Sequence, residues 1–205
     1  MIVVIDYNVG NVKSVRNALD YLGLADKLSA DAGDIERADG IILPGVAAFG
    51  YAIKALGATA EVVKDVARAG KPVLGICVGF QLLFDHSCEM GEHEGLGLIA
   101  GDVRPIPPGR TIPHMGWNAV HPAEGMDLFD GLQDNEHFYF AHSYQAHVAD
   151  ADAKVAYADY GIEIAASVQK GNIFGVQFHP EKSGKAGLGV LRNFDRICSN
   201  GAGRC

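Results

Sequence analysis

The chain has 205 residues, of which 48% are hydrophobic and 20% charged, and this composition predicts one globular domain spanning residues 1–205. Its formal net charge of −8 repels phosphate backbones, and because no cluster of Lys and Arg offsets that charge, we expect no nucleic acid partner. No apolar run approaches roughly 18 residues and no signal-peptide pattern opens the chain, so we expect a cytoplasmic protein that does not enter a membrane.

Buried-strand patterns alternate with helical patterns in the first half of the chain. Short, almost wholly apolar runs predict strands, and apolar residues at helical spacing predict helices. The predicted strands are 2–7, 40–43 and 72–76, and the predicted helices are the segment with Val12, Val15, Leu19 and Leu22, then 51–56 and 61–69. This alternation predicts a parallel sheet covered by helices on both faces.

The second half, from Gly97 onward, carries shorter segments in which polar and apolar residues alternate. Such segments predict strands, and we expect them to extend the sheet in antiparallel fashion. They are 103–106, 117–120, 137–144, 154–159 and 162–169, followed by the strong strand 172–178 and a closing helix at 188–198. The predicted fold class is α/β, a doubly wound and mostly parallel sheet of flavodoxin-like type with added antiparallel strands.

The sharpest local pattern is Gly75-Ile76-Cys77-Val78-Gly79, which lies where a buried strand meets a helix starting near Phe80. A G-x-C-x-G sequence at such a junction predicts a nucleophile elbow, with the cysteine at the tip of a strained turn. The following helix N-terminus supplies free N–H groups and a partial positive charge, which favour a thiolate and can stabilise an oxyanion. The alternative is that Cys77 is a small buried hydrophobic residue between glycines that allow close packing.

The four cysteines, at positions 77, 88, 198 and 205, show neither a C-x-x-C motif nor a ligand spacing with histidine. We therefore expect no disulfide framework, no metal site and no cofactor. Cys88, Cys198 and Cys205 lack the strand-to-helix setting of Cys77, and we interpret all three as structural or incidental.

A thiolate nucleophile needs a base that later protonates the leaving amine, and histidine is the usual choice. Among the eight histidines, His179 follows the strongest late strand, at the sheet edge where open α/β folds build their sites and where Cys77 also lies. Glu181 follows at a spacing that lets its carboxylate hold the imidazole in one tautomer. We therefore predict a triad of Cys77, His179 and Glu181. The alternative is an ordinary surface turn at His-Pro-Glu.

With G-x-C-x-G-x-Q at 75–81 and His-Pro-Glu at 179–181, the chain resembles the class I (triad) glutamine amidotransferases over nearly its whole length. In that family the cysteine attacks the side-chain amide of glutamine, ammonia leaves, and water hydrolyses the glutamyl thioester. The resemblance implies that Gln81 holds the substrate. It also implies that the loop with Gly45 and Val46 supplies one oxyanion donor and the N–H of Val78 the other.

Further stretches resemble the glutaminase subunits of the imidazole glycerol phosphate synthase family. They are Ile5-Asp6-Tyr7 with Gly10-Asn11, Pro113-His114-Met115-Gly116-Trp117-Asn118, His142-Ser143-Tyr144 and Lys182-Ser183-Gly184. The resemblance implies a heterodimer with a (β/α)8-barrel cyclase, which uses the ammonia to make imidazole glycerol phosphate and an aminoimidazole carboxamide ribotide in histidine biosynthesis. It places His142, Ser143 and Tyr144 at the substrate, and it implies slow glutamine hydrolysis until the ligand-loaded partner is bound.

The partner-facing surface is predicted around Met115 and Trp117, because the only tryptophan of the chain lies beside a methionine and a Pro-His turn. The resemblance adds Asn11 and Lys182 to this interface. The alternatives are that Trp117 is an ordinary core aromatic residue and that Asn11 is a helix cap.

Two positions depart from the family pattern, which usually has glycine where this chain has Asn8 and Ala47. Ala47 adjoins the proposed oxyanion loop, and alanine lacks the free access of glycine to positive φ. The competing functions are the glutaminase subunit of another synthase, such as pyridoxal phosphate synthase, and a stand-alone cysteine hydrolase of the same fold.

Overall fold

The computed structural model describes residues 1–201, so Cys205 lies outside the described residues. Within this range the strands form one sheet of nine strands and one of four. In chain order the strands are β1 (Ile2–Ile5), β2 (Asp26–Ser29), β3 (Gly40–Leu43), β4 (Val73–Ile76), β5 (Phe84–Ser87), β6 (His93–Glu94), β7 (Ile99–Pro105), β8 (His114–His121), β9 (His137–His142), β10 (Tyr144–Val148), β11 (Lys154–Asp159), β12 (Glu163–Lys170) and β13 (Ile173–Val176). The helices are α1 (Val12–Tyr21), α2 (Ala32–Arg37), α3 (Phe49–Leu56), α4 (Thr59–Arg68), α5 (Val78–Gln81) and α6 (Gly184–Gly201), with 3-10 turns at Asp127–Phe129 and Pro180–Lys182.

The large sheet has the strand order β2-β1-β3-β4-β13-β12-β11-β8-β9. Its first five strands pair in parallel, and the remaining four are added in antiparallel fashion. The predicted α/β class, a doubly wound parallel sheet with antiparallel additions, is therefore confirmed.

Helices cover both faces of the parallel strands, and a hydrophobic core lies on each side. Side chains alternate between the faces along a strand, so β1 sends Ile2 and Val4 into one core and Val3 and Ile5 into the other. The first core includes residues of α1 and α6, and the second includes residues of α2, α3 and α4. Burial on both faces explains why β1, β3, β4 and β13 consist of fully buried residues.

The pairing of β4 with β13 fixes where the predicted triad lies. These strands are parallel neighbours, with Ile76 beside Val176 at their carboxyl ends. Cys77 directly follows β4, and His179 follows β13 by three residues. The register alone therefore brings the two segments together at one edge of the sheet.

The structure differs from the predicted elements at three places. The single strand predicted over 137–144 is wrong: β9 ends at His142, β10 begins at Tyr144, and the two strands belong to different sheets. The edge strand β2 and the short α2 were not predicted, because β2 carries a polar, half-exposed sequence instead of an apolar run. The four-stranded sheet, of order β10-β7-β5-β6, was not predicted as a separate sheet, and its β5–β7 pair is parallel.

In residues 1–201 no helix has the length and apolar character that crossing a membrane requires. The same residues contain no group of three or more His, Cys, Asp or Glu side chains arranged to hold a metal ion. Cys77, Cys88 and Cys198 are free thiols.

Candidate active site

Cys77 lies at a sharp turn between β4 and α5. Its φ is 54° and its ψ is −110°, a conformation that residues with a Cβ rarely adopt. Its N–H donates to the carbonyl of Val176 on β13 at 2.8 Å, which ties the turn to the neighbouring strand. Gly79 must be glycine, because a Cβ there would lie 1.8 Å from the carbonyl oxygen of Leu43. The predicted elbow geometry is therefore present, and close backbone packing accounts for its second glycine.

His179 and Glu181 form a buried pair beside this turn. His179 Nδ1 lies 2.9 Å from Glu181 Oε1, and both side chains are at most 2% exposed. Because a carboxylate only accepts, Nδ1 carries a proton and Nε2 is left to exchange protons with another group. Burial lowers the pKa of His179, but hydrogen bonds to Cys77 and Glu181 outweigh burial and raise the pKa to about 9. The pair therefore favours an imidazolium next to the cysteine sulfur.

The backbone around His179 is hydrogen-bonded to β9. The N–H of His179 donates to the carbonyl of Tyr139 at 2.9 Å. The N–H of Tyr139 donates to Ser183 Oγ at 2.9 Å, and that hydroxyl donates to the carbonyl of His179 at 2.6 Å. The N–H and the carbonyl of Tyr139 on β9 are thus both bonded to the segment 179–183, which includes the 3-10 turn that carries Glu181.

A cavity of about 280 Å³ opens next to Cys77. It contains most of the residues predicted to contact substrate, namely Val46, Val78, Gln81, His142, Ser143 and Tyr144, together with Cys77, Ala47, Ala48, Glu89, Pro113, Met115 and Ala141. Gly45 is not part of this lining, although its carbonyl reaches the elbow. We refer to this space as the substrate cavity.

Gln81 is held in a fixed orientation at the wall of the substrate cavity. Its Nε2 donates to the Tyr144 carbonyl at 3.1 Å and to Gln177 Oε1 at 2.9 Å. Gln177 in turn places its Nε2 3.9 Å from the sulfur of Cys77. Since both donor hydrogens of the Gln81 amide are used by the protein, its carbonyl oxygen is the atom left for a ligand.

The loop 44–47, which was predicted to supply an oxyanion donor, is packed tightly against the elbow. The N–H of Val78 donates to the carbonyl of Gly45 at 3.4 Å, so a carbonyl oxygen occupies the place expected for an oxyanion. A Cβ on Gly45 would lie 2.1 Å from Val78 Cγ1, which requires glycine there. The hydroxyl of Tyr7 donates to the Pro44 carbonyl, and burial, followed by the charge of Cys77, raises the pKa of Tyr7. In this arrangement the N–H of Val78 is not free to bind an oxyanion.

Two of the predicted interface residues, Met115 and Trp117, lie on β8, and Met115 also lines the substrate cavity. Met115 and Trp117 are 63% and 54% exposed, so the reading of Trp117 as a core residue is wrong. Trp117 packs edge-on against Tyr139, and Lys182 Nζ lies 5.8 Å from the centre of the same ring. Asn11 caps α1, because its side chain accepts the N–H of Ser14 at 3.4 Å.

Three residues at the site were not predicted from the sequence. Glu89 lines the substrate cavity and accepts the N–H of Phe49 at 2.7 Å, which anchors it at the start of α3. Gln177 contacts both Gln81 and the Cys77 sulfur, and Tyr7 holds the loop 44–47. None of them lies in a catalytic motif. Only a polar residue within a predicted apolar strand, such as Gln177 in the predicted strand 172–178, signals such a position in advance; Gln177 is buried directly after β13.

Comparisons with known proteins show which sequences and folds this chain is similar to. A sequence model of the family described as glutamine amidotransferase class-I matches residues 3–196. The imidazole glycerol phosphate synthase subunit HisH of Listeria monocytogenes serovar 1/2a is 45% identical over 201 residues, which cover 96% of this chain and 96% of that protein. The HisH subunit of Methanothermobacter thermautotrophicus is 47% identical over 197 residues, covering 96% and 98%. A solved structure described as a glutamine amidotransferase is 19% identical, with a TM-score of 0.78 over 97% of this chain and 100% of that chain, which shows a common fold.

Proposed function

The chain belongs to the class-I glutamine amidotransferase family, and from this membership we propose that it is the glutaminase subunit of an imidazole glycerol phosphate synthase. It hydrolyses L-glutamine to glutamate and ammonia. Residues 1–205 form one domain in this proposal. The observation that carries the proposal is the buried His179–Glu181 pair beside the strained Cys77, which itself lines a cavity of about 280 Å³.

The proposed reaction has two steps. The Cys77 thiolate attacks the side-chain amide carbon of glutamine, and His179 protonates the leaving nitrogen, so that the C–N bond breaks and ammonia departs. Water then attacks the glutamyl thioester, gives a proton to His179 and releases glutamate as the C–S bond breaks. Glu181 does not transfer a proton; it keeps Nδ1 protonated and stabilises the imidazolium.

The lining of the substrate cavity contains a group that matches the positive charge of an amino acid. Glu89 is the acidic side chain among the lining residues, and its carboxylate suits the α-ammonium group of glutamine. The free carbonyl oxygen of Gln81 and the backbone of Ser143 and Tyr144 are the remaining polar groups for positioning the substrate.

We propose that the ammonia passes to a second subunit, a (β/α)8-barrel cyclase. That subunit uses it to form imidazole glycerol phosphate and an aminoimidazole carboxamide ribotide in the cytoplasm. Ammonia released into water would be protonated and lost, so the partner must cover the cavity mouth. Met115 lines the cavity and Trp117 lies two residues further along β8; both are exposed, and both are large apolar side chains of the kind expected at the centre of an interface. Lys182 and Asn11 complete the proposed docking surface.

The test is to co-purify the chain with this cyclase and to measure product formation with glutamine or with ammonia as nitrogen source. The complex should use both sources, and Cys77→Ala should use only ammonia. The matched control is Cys88→Ala, which alters an exposed thiol and should behave as wild type. Glutamine-dependent product formation by Cys77→Ala, or no product from the intact complex, contradicts the proposal.

A further inference from the structure

A continuous chain of hydrogen bonds leads from the substrate cavity to the far end of β11. His142 Nδ1 lies 2.7 Å from the Tyr144 carbonyl, the same carbonyl that accepts from Gln81. His142 Nε2 lies 2.9 Å from His114 Nδ1, and His114 Nε2 lies 2.8 Å from Asn118 Oδ1. Asn118 Nδ2 then donates to the Asp159 carbonyl at 2.8 Å. Both imidazoles are buried.

The four contacts need more protons than two neutral imidazoles can supply. A backbone carbonyl only accepts, so His142 Nδ1 and Asn118 Nδ2 are donors, and Asn118 presents its oxygen to His114. His114 Nε2 must therefore carry a proton. The contact between the rings requires a third proton, on His142 Nε2 or on His114 Nδ1, whereas two neutral rings hold only two.

The surroundings place the extra proton on His114. Burial lowers the pKa of His142 to about 3, and the neighbouring His114 and His179 add to this effect, so His142 stays neutral. Burial also lowers the pKa of His114, but its hydrogen bond to Asn118 opposes this. The His114 ring is stacked between Tyr160 and Phe140, with ring centres 3.9 Å and 4.7 Å away, and aromatic faces favour a cation. The Tyr160 hydroxyl donates to the Thr111 carbonyl and does not compete for the imidazole.

We propose that His114 and Asn118 are positioning residues of the substrate cavity, and that their hydrogen-bonded chain through His142 to Tyr144 is complete only when His114 is an imidazolium. As the pH rises and His114 loses a proton, either its contact with His142 or its contact with Asn118 is lost. The Tyr144 carbonyl, and with it the amide of Gln81, is then held less firmly. The effect on substrate binding rests on the proposed glutaminase function, whereas the proton count does not.

The proton count is tested by nitrogen NMR of the wild-type chain with labelled histidine, bound to its cyclase partner, over a pH titration. Nitrogen shifts distinguish protonated from bare ring nitrogens. His142 should keep one protonated and one bare nitrogen throughout. His114 should carry two protonated nitrogens at low pH and one at high pH, with a midpoint below the ordinary value of about 6.5. A single proton on His114 at the lowest pH at which the protein stays folded would overturn the proposal.

The positioning role is tested with two neutral substitutions that each keep one contact. His114→Asn places an amide near Nδ1 and retains the contact to His142, and His114→Gln places one near Nε2 and retains the contact to Asn118. Below the wild-type midpoint, both should raise KM for glutamine by about three- to tenfold, as one lost hydrogen bond predicts, with kcat within about twofold. Above the midpoint the difference from wild type should shrink.

The matched control is His121→Asn, which changes an exposed histidine at the end of the same strand. It should leave KM unchanged at every pH. Unchanged KM in both His114 variants, or a fall in kcat without a change in KM, would overturn the positioning role. If the variants do not fold, the NMR titration of the wild type decides. A wild-type complex without any glutaminase activity would instead contradict the proposed function and leave the proton count standing.

Discussion

In the proposed mechanism, Val46 is the residue that should limit partner-free glutamine hydrolysis, because the N–H of Val78 is not free to bind an oxyanion. The Gly45 carbonyl accepts the N–H of Val78. The proposed oxyanion site therefore opens only if the peptide between Gly45 and Val46 rotates by half a turn. That rotation replaces the carbonyl by the Val46 N–H and changes ψ of Gly45 and φ of Val46. Val46 is not among the residues with positive φ, so the rotation moves it toward that region.

The free-energy cost of this movement comes from the Cβ of Val46. A residue with a Cβ pays about 1–2 kcal/mol in the left-handed region, and glycine avoids it. Val46→Gly should therefore raise the partner-free rate by about 5- to 30-fold, since each 1.4 kcal/mol is about tenfold. Val46 is 48% exposed, so the substitution removes little buried apolar surface.

The assay is steady-state glutamine hydrolysis by wild type and Val46→Gly, with and without the ligand-loaded cyclase. The stimulation by the partner should fall mainly because the basal rate rises. Ala47→Gly is the matched comparison. Glycine at position 47 should lower the free-energy cost of the rearrangement, by about 1 kcal/mol, only if the rearrangement extends beyond the rotating peptide. An unchanged basal rate in Val46→Gly, with normal partner-bound activity, would refute the reasoning. Full wild-type activity without a partner would refute the switch itself.

Cys77→Ser should abolish glutamine hydrolysis by the complex without altering circular dichroism or partner affinity, because we propose the Cys77 thiolate as the nucleophile, and an active variant would contradict that role. Glu181→Gln should lower the pKa of His179. Because that pKa is raised from 6.5 to about 9, the wild type should lose up to about 3 kcal/mol of stability as the pH rises through this interval, and the variant should lose less. Thermal unfolding across this range measures the difference, and identical pH profiles would argue against the ion pair. Trp117→Ala should weaken cyclase binding by about 2 kcal/mol in a calorimetric titration, or uncouple hydrolysis from product formation; unchanged affinity and coupling would remove Trp117 from the docking surface.

The parallel part of the fold was predictable because its strands are buried on both faces. Strands β3 and β4 appear in the sequence as continuous apolar runs, and their helices follow at regular spacing. The edge strand β2 was not predictable, since a half-exposed strand needs no apolar run. The break at Ser143 was missed for a different reason: β9 and β10 continue the same alternation of residues, and only tertiary packing sends them to different sheets.

The triad segments were predictable because their positions follow from strand ends. A nucleophile after β4 and a histidine after β13 meet at one edge whenever the two strands are parallel neighbours. The contributions of Glu89 and Tyr7 depend on loops that approach the site from distant parts of the chain. No local sequence pattern encodes such an approach, and the state of the oxyanion loop depends on the orientation of one peptide group.

The hydrogen bonds that join Tyr139 to His179 and Ser183 have a consequence for protein engineering. Grafting the β8–β9 hairpin of an amidotransferase that serves a different synthase would move the backbone to which His179 and Ser183 are bound. The hairpin carries Trp117, so partner choice and the placement of the base would change together. A functional chimera must therefore exchange the hairpin and the 3-10 turn as one unit, and a graft that omits the turn should bind the new partner but misplace its own imidazole.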